Sequence, residues 1–341
     1  MPFAEVTSAP PMVLAGDGFA SYVPNRLDAA YTSATHAVTH LCRVLGRVAR
    51  STGQRYPRTP SQGTLEVAVS SVEEADVAVE NGADRLFLLT APEVGGLTPS
   101  LDLFLSVRRL VKSVRTASRK RVPVTVLLRP RLGECDYTRN ELDQMRRDAI
   151  RFLKVGADGI ALGALRRQGT EIRVDEDGCR PFVALAREHK KEVVFHRAFD
   201  VLTDRRTGLQ DLISLGFNRV ITAGRWRLAH DSLDDLAADV AYAGWDLDVA
   251  VAGGINANTV GCVVRHTGCQ HLFAGFRAAA GDDPPTNPRE SGPMPRVLQP
   301  EKVATTVAIL QRVATEDFSL CSTAAEIAEA DVAGAGVRHT W

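Results

Sequence analysis

Between residues 63 and 314 the chain alternates short apolar runs with amphipathic stretches, and eight such runs can be read. They fall at 65–69, 84–89, 122–128, 159–162, 192–195, 219–222, 248–252 and 270–274. Helical periodicity fills stretches between them, among others 71–81, 139–155, 175–190, 232–243 and 256–266, and one more, 300–314, follows the last run. Strands joined by helices run parallel, because each crossover returns the chain to the same end of the sheet. Eight units predict one parallel (β/α)8 TIM-type barrel; an open doubly wound sheet is the alternative. No G-x-G-x-x-G follows the first run, which argues against a dinucleotide-binding domain.

Three helix stops share a pattern: Asn81-Gly82-Ala83-Asp84, Val155-Gly156-Ala157-Asp158 and Leu215-Gly216-Phe217-Asn218. Glycine takes the left-handed conformation that ends a helix, and a strand begins directly after.

The flanks read differently. Residues 1–62 mix Pro, Ser, Thr and Arg without sustained periodicity, apart from a short helical stretch at 35–50, and predict a poorly ordered extension. Six arginines from Arg26 to Arg58, against the single acid Asp28, leave an organelle-targeting segment as the other reading. Residues 315–341 read as a C-terminal tail. The segment 278–299, rich in Gly, Pro and Asp, reads as a disordered insertion or as a lid over the barrel mouth.

Composition narrows the function classes. Acidic and basic residues balance at 41 each, so charge makes no case for nucleic acid or an anionic membrane. No apolar run approaches the ~18 residues of a membrane span. Six cysteines (Cys42, Cys135, Cys179, Cys262, Cys269, Cys321) show no CxxC pair and no zinc spacing, and read as reduced thiols of a cytosol-like compartment. A homo-oligomer is left open.

Barrels of this type gather reactive groups at the C-terminal ends of their strands, and side chains alternate along each strand. With Leu65, Val67 and Val69 turned toward helices, Glu66, Ala68 and Ser70 face inward. The same parity turns Thr125, Leu127 and Arg129 inward, then Val194 and His196, then Val220 and Thr222. Glu66, Arg129, His196 and Thr222 are therefore expected to converge on one cavity. His196, close to Asp200, is the candidate acid–base group, with Glu66 or Asp200 assisting. Arg129 and Arg131, held by Pro130, suit a carboxylate or phosphate because guanidinium is a planar fork. The Gly253-Gly254 turn leads into a helix and would let backbone N–H groups approach an anion. Plainer readings stand beside these: a Glu66–Arg129 ion pair, an Arg131–Asp136 pair, and a tight turn at Gly253-Gly254. The loop containing Gly95-Gly96 reads either as a substrate gate or as a plain connection.

Together these motifs resemble the CutC family. Asn81-Gly82-Ala83-Asp84-Arg85, Gly95-Gly96-Leu97-Thr98-Pro99-Ser100, Arg129-Pro130-Arg131, Phe195-His196-Arg197-Ala198-Phe199-Asp200 and Ala252-Gly253-Gly254-Ile255 occur in that family's order. The likeness covers about residues 65–278. It implies a (β/α)8 barrel, a mainly cytoplasmic location, a role in copper homeostasis, and copper binding through cysteines near the first two strands. This chain departs from the pattern at four inward positions. The family's usual Cys after Leu65-Glu66-Val67 is Ala68. Its usual Glu and Cys on the second strand are Phe87 and Leu89. Its usual His on the last strand aligns with Phe273. Cu(I) prefers soft sulfur, so Ala68 and Leu89 weaken the case for copper. Cys135, in the loop after the third strand, is the thiol left on the mouth side.

Three functional readings follow. The first is a divergent copper homeostasis protein. The second is a barrel enzyme acting on a small anionic metabolite, phosphorylated or not. The third is a barrel that has lost its chemistry and serves as a scaffold.

Overall fold

The computed structural model describes residues 63–113, 121–279 and 296–315. The expectations for residues 1–62, the interior of 278–299 and the tail beyond 315 lie outside the described residues.

Eight parallel strands close into a barrel. They are β1 (Thr64–Val69), β2 (Arg85–Leu88), β3 (Val124–Leu127), β4 (Gly159–Leu162), β7 (Glu192–Phe195), β8 (Arg219–Thr222), β9 (Asp248–Val251) and β10 (His271–Ala274). The last strand pairs back onto the first, with Thr64 opposite His271 and Val67 opposite Ala274. Helices α1 (Val72–Glu80), α2 (Leu101–Ser113), α3 (Arg139–Lys154), α4 (Glu176–Glu188), α5 (Arg205–Leu215), α6 (Leu233–Ala243), α7 (Val260–Thr267) and α8 (Pro300–Thr315) follow the strands.

Two antiparallel hairpins interrupt the alternation. One, β5 (Leu165–Gln168) with β6 (Glu171–Val174), follows β4. The other corrects the reading of 278–299 at its ends. There β11 (Arg277–Ala279) pairs with β12 (Arg296–Leu298), so the chain leaves and re-enters along one ribbon.

The repeated Gly-x-Asp/Asn stops do more than end helices. Gly82, Gly156 and Gly216 all have φ near +92 to +94°, where a side chain would be strained. The following Ala83, Ala157 and Phe217 are buried. The acidic or amide side chain then reaches back to the preceding barrel strand. Asp84 accepts from the Leu65 N–H at 2.9 Å, Asp158 from Val124 at 3.0 Å, and Asn218 from Val193 at 2.8 Å. Each clasp satisfies a strand-initial donor that would otherwise lack a partner at the barrel's base. Capping supports the helices: Thr138 and Glu141 form a reciprocal box at the start of α3.

Side-chain parity divides the core. Leu65, Val67, Val69, Val193, Phe195 and Val220 belong to the layer between strands and helices. A second, inner cluster fills the barrel: Ala68, Phe87, Leu89, Leu127, Ala161, Val194, Ile221, Ala250 and Ala252, with Phe273 packed on it. Phe87 and Phe273 meet edge to face, with ring centroids 5.1 Å apart. The expected inward facing of Val220 and Thr222 is thereby corrected. Ile221 is the inward residue of that strand, and parity puts Arg219 inward with it.

Candidate functional site at the barrel mouth

Arg129 stands at the C-terminal end of β3. Its backbone N–H donates to Thr98 Oγ1 at 2.8 Å, and its carbonyl accepts from the Thr98 N–H at 3.0 Å. Its guanidinium donates to the carbonyls of Val94, Gly96 and Gly133 at 3.2, 3.1 and 2.9 Å. The Gly95-Gly96 loop is thus wrapped on the guanidinium and tied to β3, which favours the plain-connection reading over a gate. One donor is left over: Arg129 Nε is sealed from solvent and has no partner.

His196 follows β7 and caps the short 3₁₀ turn Arg197–Val201, its Nδ1 accepting from the Ala198 N–H at 3.0 Å. The ring packs closely on Gly163, where an added Cβ would come within 2.3 Å of His196 Cε1. Burial, helped by the positive charge of Arg129, pushes its pKa down to about 3. The imidazole is therefore neutral at physiological pH. Because Nδ1 accepts a hydrogen bond, the proton rides on Nε2, and that N–H is buried without a partner. Sequence suggests an acid–base group here; the geometry offers a hydrogen-bond donor.

Glu66 does not join them, which corrects the expected convergence. It is inward but low in the barrel, with its Oε1 2.9 Å from Arg219 Nη2 and its Oε2 buried without a hydrogen-bond partner. Arg219 also approaches Glu192 at 3.6 Å, and Arg85 donates to Glu192 at 2.7 Å. Arg85, Glu192 and Arg219 are the first residues of their strands, so this network plugs the N-terminal end. His196 lies four positions beyond Glu192 on the same strand path, about 13 Å along it. The inner apolar cluster separates the two ends. The Glu66–Arg129 ion pair is likewise replaced by Glu66–Arg219.

Thr222 and Asp200 meet each other rather than the barrel interior. The Thr222 hydroxyl donates to Asp200 Oδ1 at 2.6 Å and accepts from Arg205 Nη2 at 2.9 Å. Asp200 also accepts from the Ala223 N–H and from Arg197 Nε, at 3.2 and 2.8 Å. Arg205 goes on to pair with Asp239. This network ties β8 to α5 and α6. Arg131 is taken up by its own loop: it donates to Glu141 at 2.5 Å and to the Asp136 carbonyl at 2.9 Å, and it lies over the Tyr137 ring. That pairing holds the Glu141 carboxyl down at about 2. Gly253 and Gly254 have φ of +90° and +69°; a Cβ on Gly253 would come within 2.7 Å of the Arg227 carbonyl. The turn is thus pressed against the loop after β8. Sequence reading missed Arg85, Glu192 and Arg219, although a charged first residue at inward parity on an apolar strand was the available signal.

The donor set does not fit Cu(I). The four positions where the resemblance places thiols, a carboxylate and an imidazole form one packed apolar surface. Among the described residues no group of three or more His, Cys, Asp or Glu could hold a metal ion. Cys179 and Cys269 are buried, and burial pushes their thiols up to about 12 and about 11. The Cys135 thiol lies beside the Tyr137 hydroxyl.

A closed ring of eight parallel strands with a polar plug at its base and an apolar waist defines a (β/α)8-barrel protein. The chain belongs to the CutC family, whose model matches residues 63–278. It is similar to a family protein CutC of Xanthomonas axonopodis pv. citri, 35% identical over 222 residues, covering 65% of this chain and 87% of that protein. It is 34% identical over 215 residues to the human copper homeostasis protein cutC homolog, covering 63% of this chain and 73% of that one. The fold matches a crystal structure of the putative copper homeostasis protein CutC from Streptococcus agalactiae. The TM-score is 0.56 at 24% identity, covering 62% of this chain and 98% of that one.

Proposed function

We propose that this chain serves copper homeostasis, as its human and Caenorhabditis elegans relatives are named to do, without a thiolate copper centre in its barrel. The observation that carries the second half is the fusion of Ala68, Phe87, Leu89 and Phe273 into one apolar packing unit. Soft-metal ligation needs sulfur or imidazole at converging positions, and this unit supplies neither. A cytoplasmic setting agrees with the reduced-thiol composition, and among the described residues no helix is long and apolar enough to cross a membrane. The test is complementation of a deletion strain grown in raised copper. The wild type and Cys135→Ser should restore tolerance equally. Loss of rescue in Cys135→Ser would overturn the thiol-independent reading.

A second reading has its own support: the mouth takes a small oxyanion or carbonyl compound. Two buried donors, His196 Nε2 and Arg129 Nε, have no acceptor, and a buried unmade hydrogen bond costs about 1–3 kcal/mol. A ligand oxygen would satisfy such donors, and a neutral imidazole N–H can polarise a carbonyl. Thermal-shift screening of sugar phosphates and organic acids tests it. The expected result is stabilisation that disappears in His196→Phe. Equal stabilisation of both proteins would refute it.

A further inference from the structure

We infer that the loop after β8 is a recognition platform for a mononucleotide, separate from the donors of His196 and Arg129. Its sequence is Gly224-Arg225-Trp226-Arg227. Trp226 is 61% exposed, more than any other large hydrophobic side chain among the described residues. The loop that presents it is held firmly. The Trp226 N–H donates to Ser232 Oγ at 3.0 Å, the Gly224 N–H to Thr222 Oγ1 at 3.0 Å, and the Ala229 N–H to the Gly253 carbonyl at 2.9 Å. Gly224 packs so closely that a Cβ would lie 2.2 Å from Ser232 Cβ. An indole offered to water on a rigid loop is a preorganised contact surface, because little ordering cost remains on binding.

Charge says what would bind. Arg225 and Arg227 flank Trp226 in the loop. Arg225 is paired with Asp235 at 3.3 Å. Arg197 is paired with Asp200 at 2.8 Å and also reaches the Arg227 carbonyl at 3.4 Å. Arg227 is exposed, and among the described residues no acid lies within ion-pair distance of it. An exposed indole followed in the same loop by an arginine with no ion pair among the described residues matches a base carrying a phosphate: the base would stack on the indole, and the phosphate would accept from the planar fork. The Gly253-Gly254 turn lies directly against this loop, in the region where parallel barrels bind phosphate with the loops after their last two strands. Two of the loop's neighbouring arginines, Arg225 and Arg197, are already paired with Asp235 and Asp200, which leaves one guanidinium here rather than a row of them for a long polyanion. A free nucleotide is therefore favoured over nucleic acid.

Isothermal titration of the full chain with AMP, adenosine, ribose 5-phosphate and a short single-stranded oligodeoxyadenylate tests this. AMP should bind saturably and more tightly than adenosine or ribose 5-phosphate. Trp226→Leu should weaken AMP at least tenfold. Arg227→Gln should weaken AMP at least fivefold and leave adenosine unchanged. Both side chains are exposed, so the variants should melt like the wild type. His196→Phe should bind AMP as the wild type does, which separates this site from the mouth donors. No saturable AMP binding, binding of ribose 5-phosphate to His196→Phe equal to that of AMP, tighter binding of the oligonucleotide, or indifference to Trp226→Leu would each overturn the assignment.

Discussion

The Glu66 carboxylate and the Arg219 guanidinium meet at 2.9 Å in the floor of the barrel, their side chains 3% and 2% exposed. They lie 153 positions apart in sequence, on β1 and β8, with β9 and β10 between them in the ring. Desolvating two charges is costly, and only close pairing offsets it. Burial pushes the Glu66 carboxyl up, with Arg219 opposing. Arg219→Met should cost about 3–5 kcal/mol, the usual cost of stranding one partner of a buried pair. The double variant Glu66→Leu/Arg219→Met should recover most of that loss. Urea denaturation of the wild type, Glu66→Leu, Arg219→Met and the double variant measures it; additive losses would show that the two residues do not act as a pair.

Gly163 gives a second prediction. A methyl there would strike His196 Cε1 and, at 2.6 Å, Ala198 Cβ. Gly163→Ala should destabilise by about 1–3 kcal/mol, as overpacking does, and should also shift the His196 ring resonances. Gly169, where a Cβ would meet nothing within 4 Å, serves as the control, carrying only the strain of its positive φ. Unmoved His196 resonances in Gly163→Ala would break the link between this glycine and the ring.

The His196 pKa fixes a sign for pH. The unfolded imidazole protonates near 6.5 and the folded one near 3, so between those values the unfolded chain binds more protons. His196 therefore contributes stability that is full above about pH 6.5 and is lost as pH falls toward about 3. The slope from this one proton is at most about 1.4 kcal/mol per pH unit. His196→Phe should flatten the stability profile between pH 7 and 4, read by denaturant melts. Parallel profiles for the two proteins would contradict the depressed pKa.

Arg129 and Arg131 should separate cleanly. Arg131 is bound up with Glu141, Asp136 and the Tyr137 ring, while Arg129 keeps one buried donor unused. Arg131→Gln should lower the melting temperature and leave any anion-induced thermal shift intact. Arg129→Lys should abolish that shift. The reverse pattern would reassign the anion contact to Arg131.

The barrel was readable because it follows from periodicity: the alternating runs, the glycine stops and the parity of β1 and β3 all act over a few residues. The inverted parity of β8 was not. Arg219, Val220, Ile221 and Thr222 offer apolar side chains on both faces, and only the Glu66 carboxylate across the ring decides which face turns in. His196 and Arg129 were legible as strand-end polar residues on inward parity. The roles of Asp200, Thr222 and Arg131 were not, because their partners come from α5, α6 and α3 and no local pattern announces such contacts. The hairpin β5–β6 escaped because only Leu165, Ile172 and Val174 turn toward the core, while Arg166, Arg167, Gln168, Glu171 and Arg173 are exposed, too few apolar positions to read as a strand pattern.

The central claim is that the barrel interior is packed with apolar side chains and, among the described residues, offers no soft-metal ligand set. Competition titration with a strong Cu(I) chelator tests it most directly, on the wild type, His196→Phe and Ala68→Cys/Leu89→Cys. The account predicts that copper retention is the same in wild type and His196→Phe, and that a stoichiometric site arises only in the double cysteine variant. A one-to-one wild-type site that resists the chelator and vanishes in His196→Phe would contradict it.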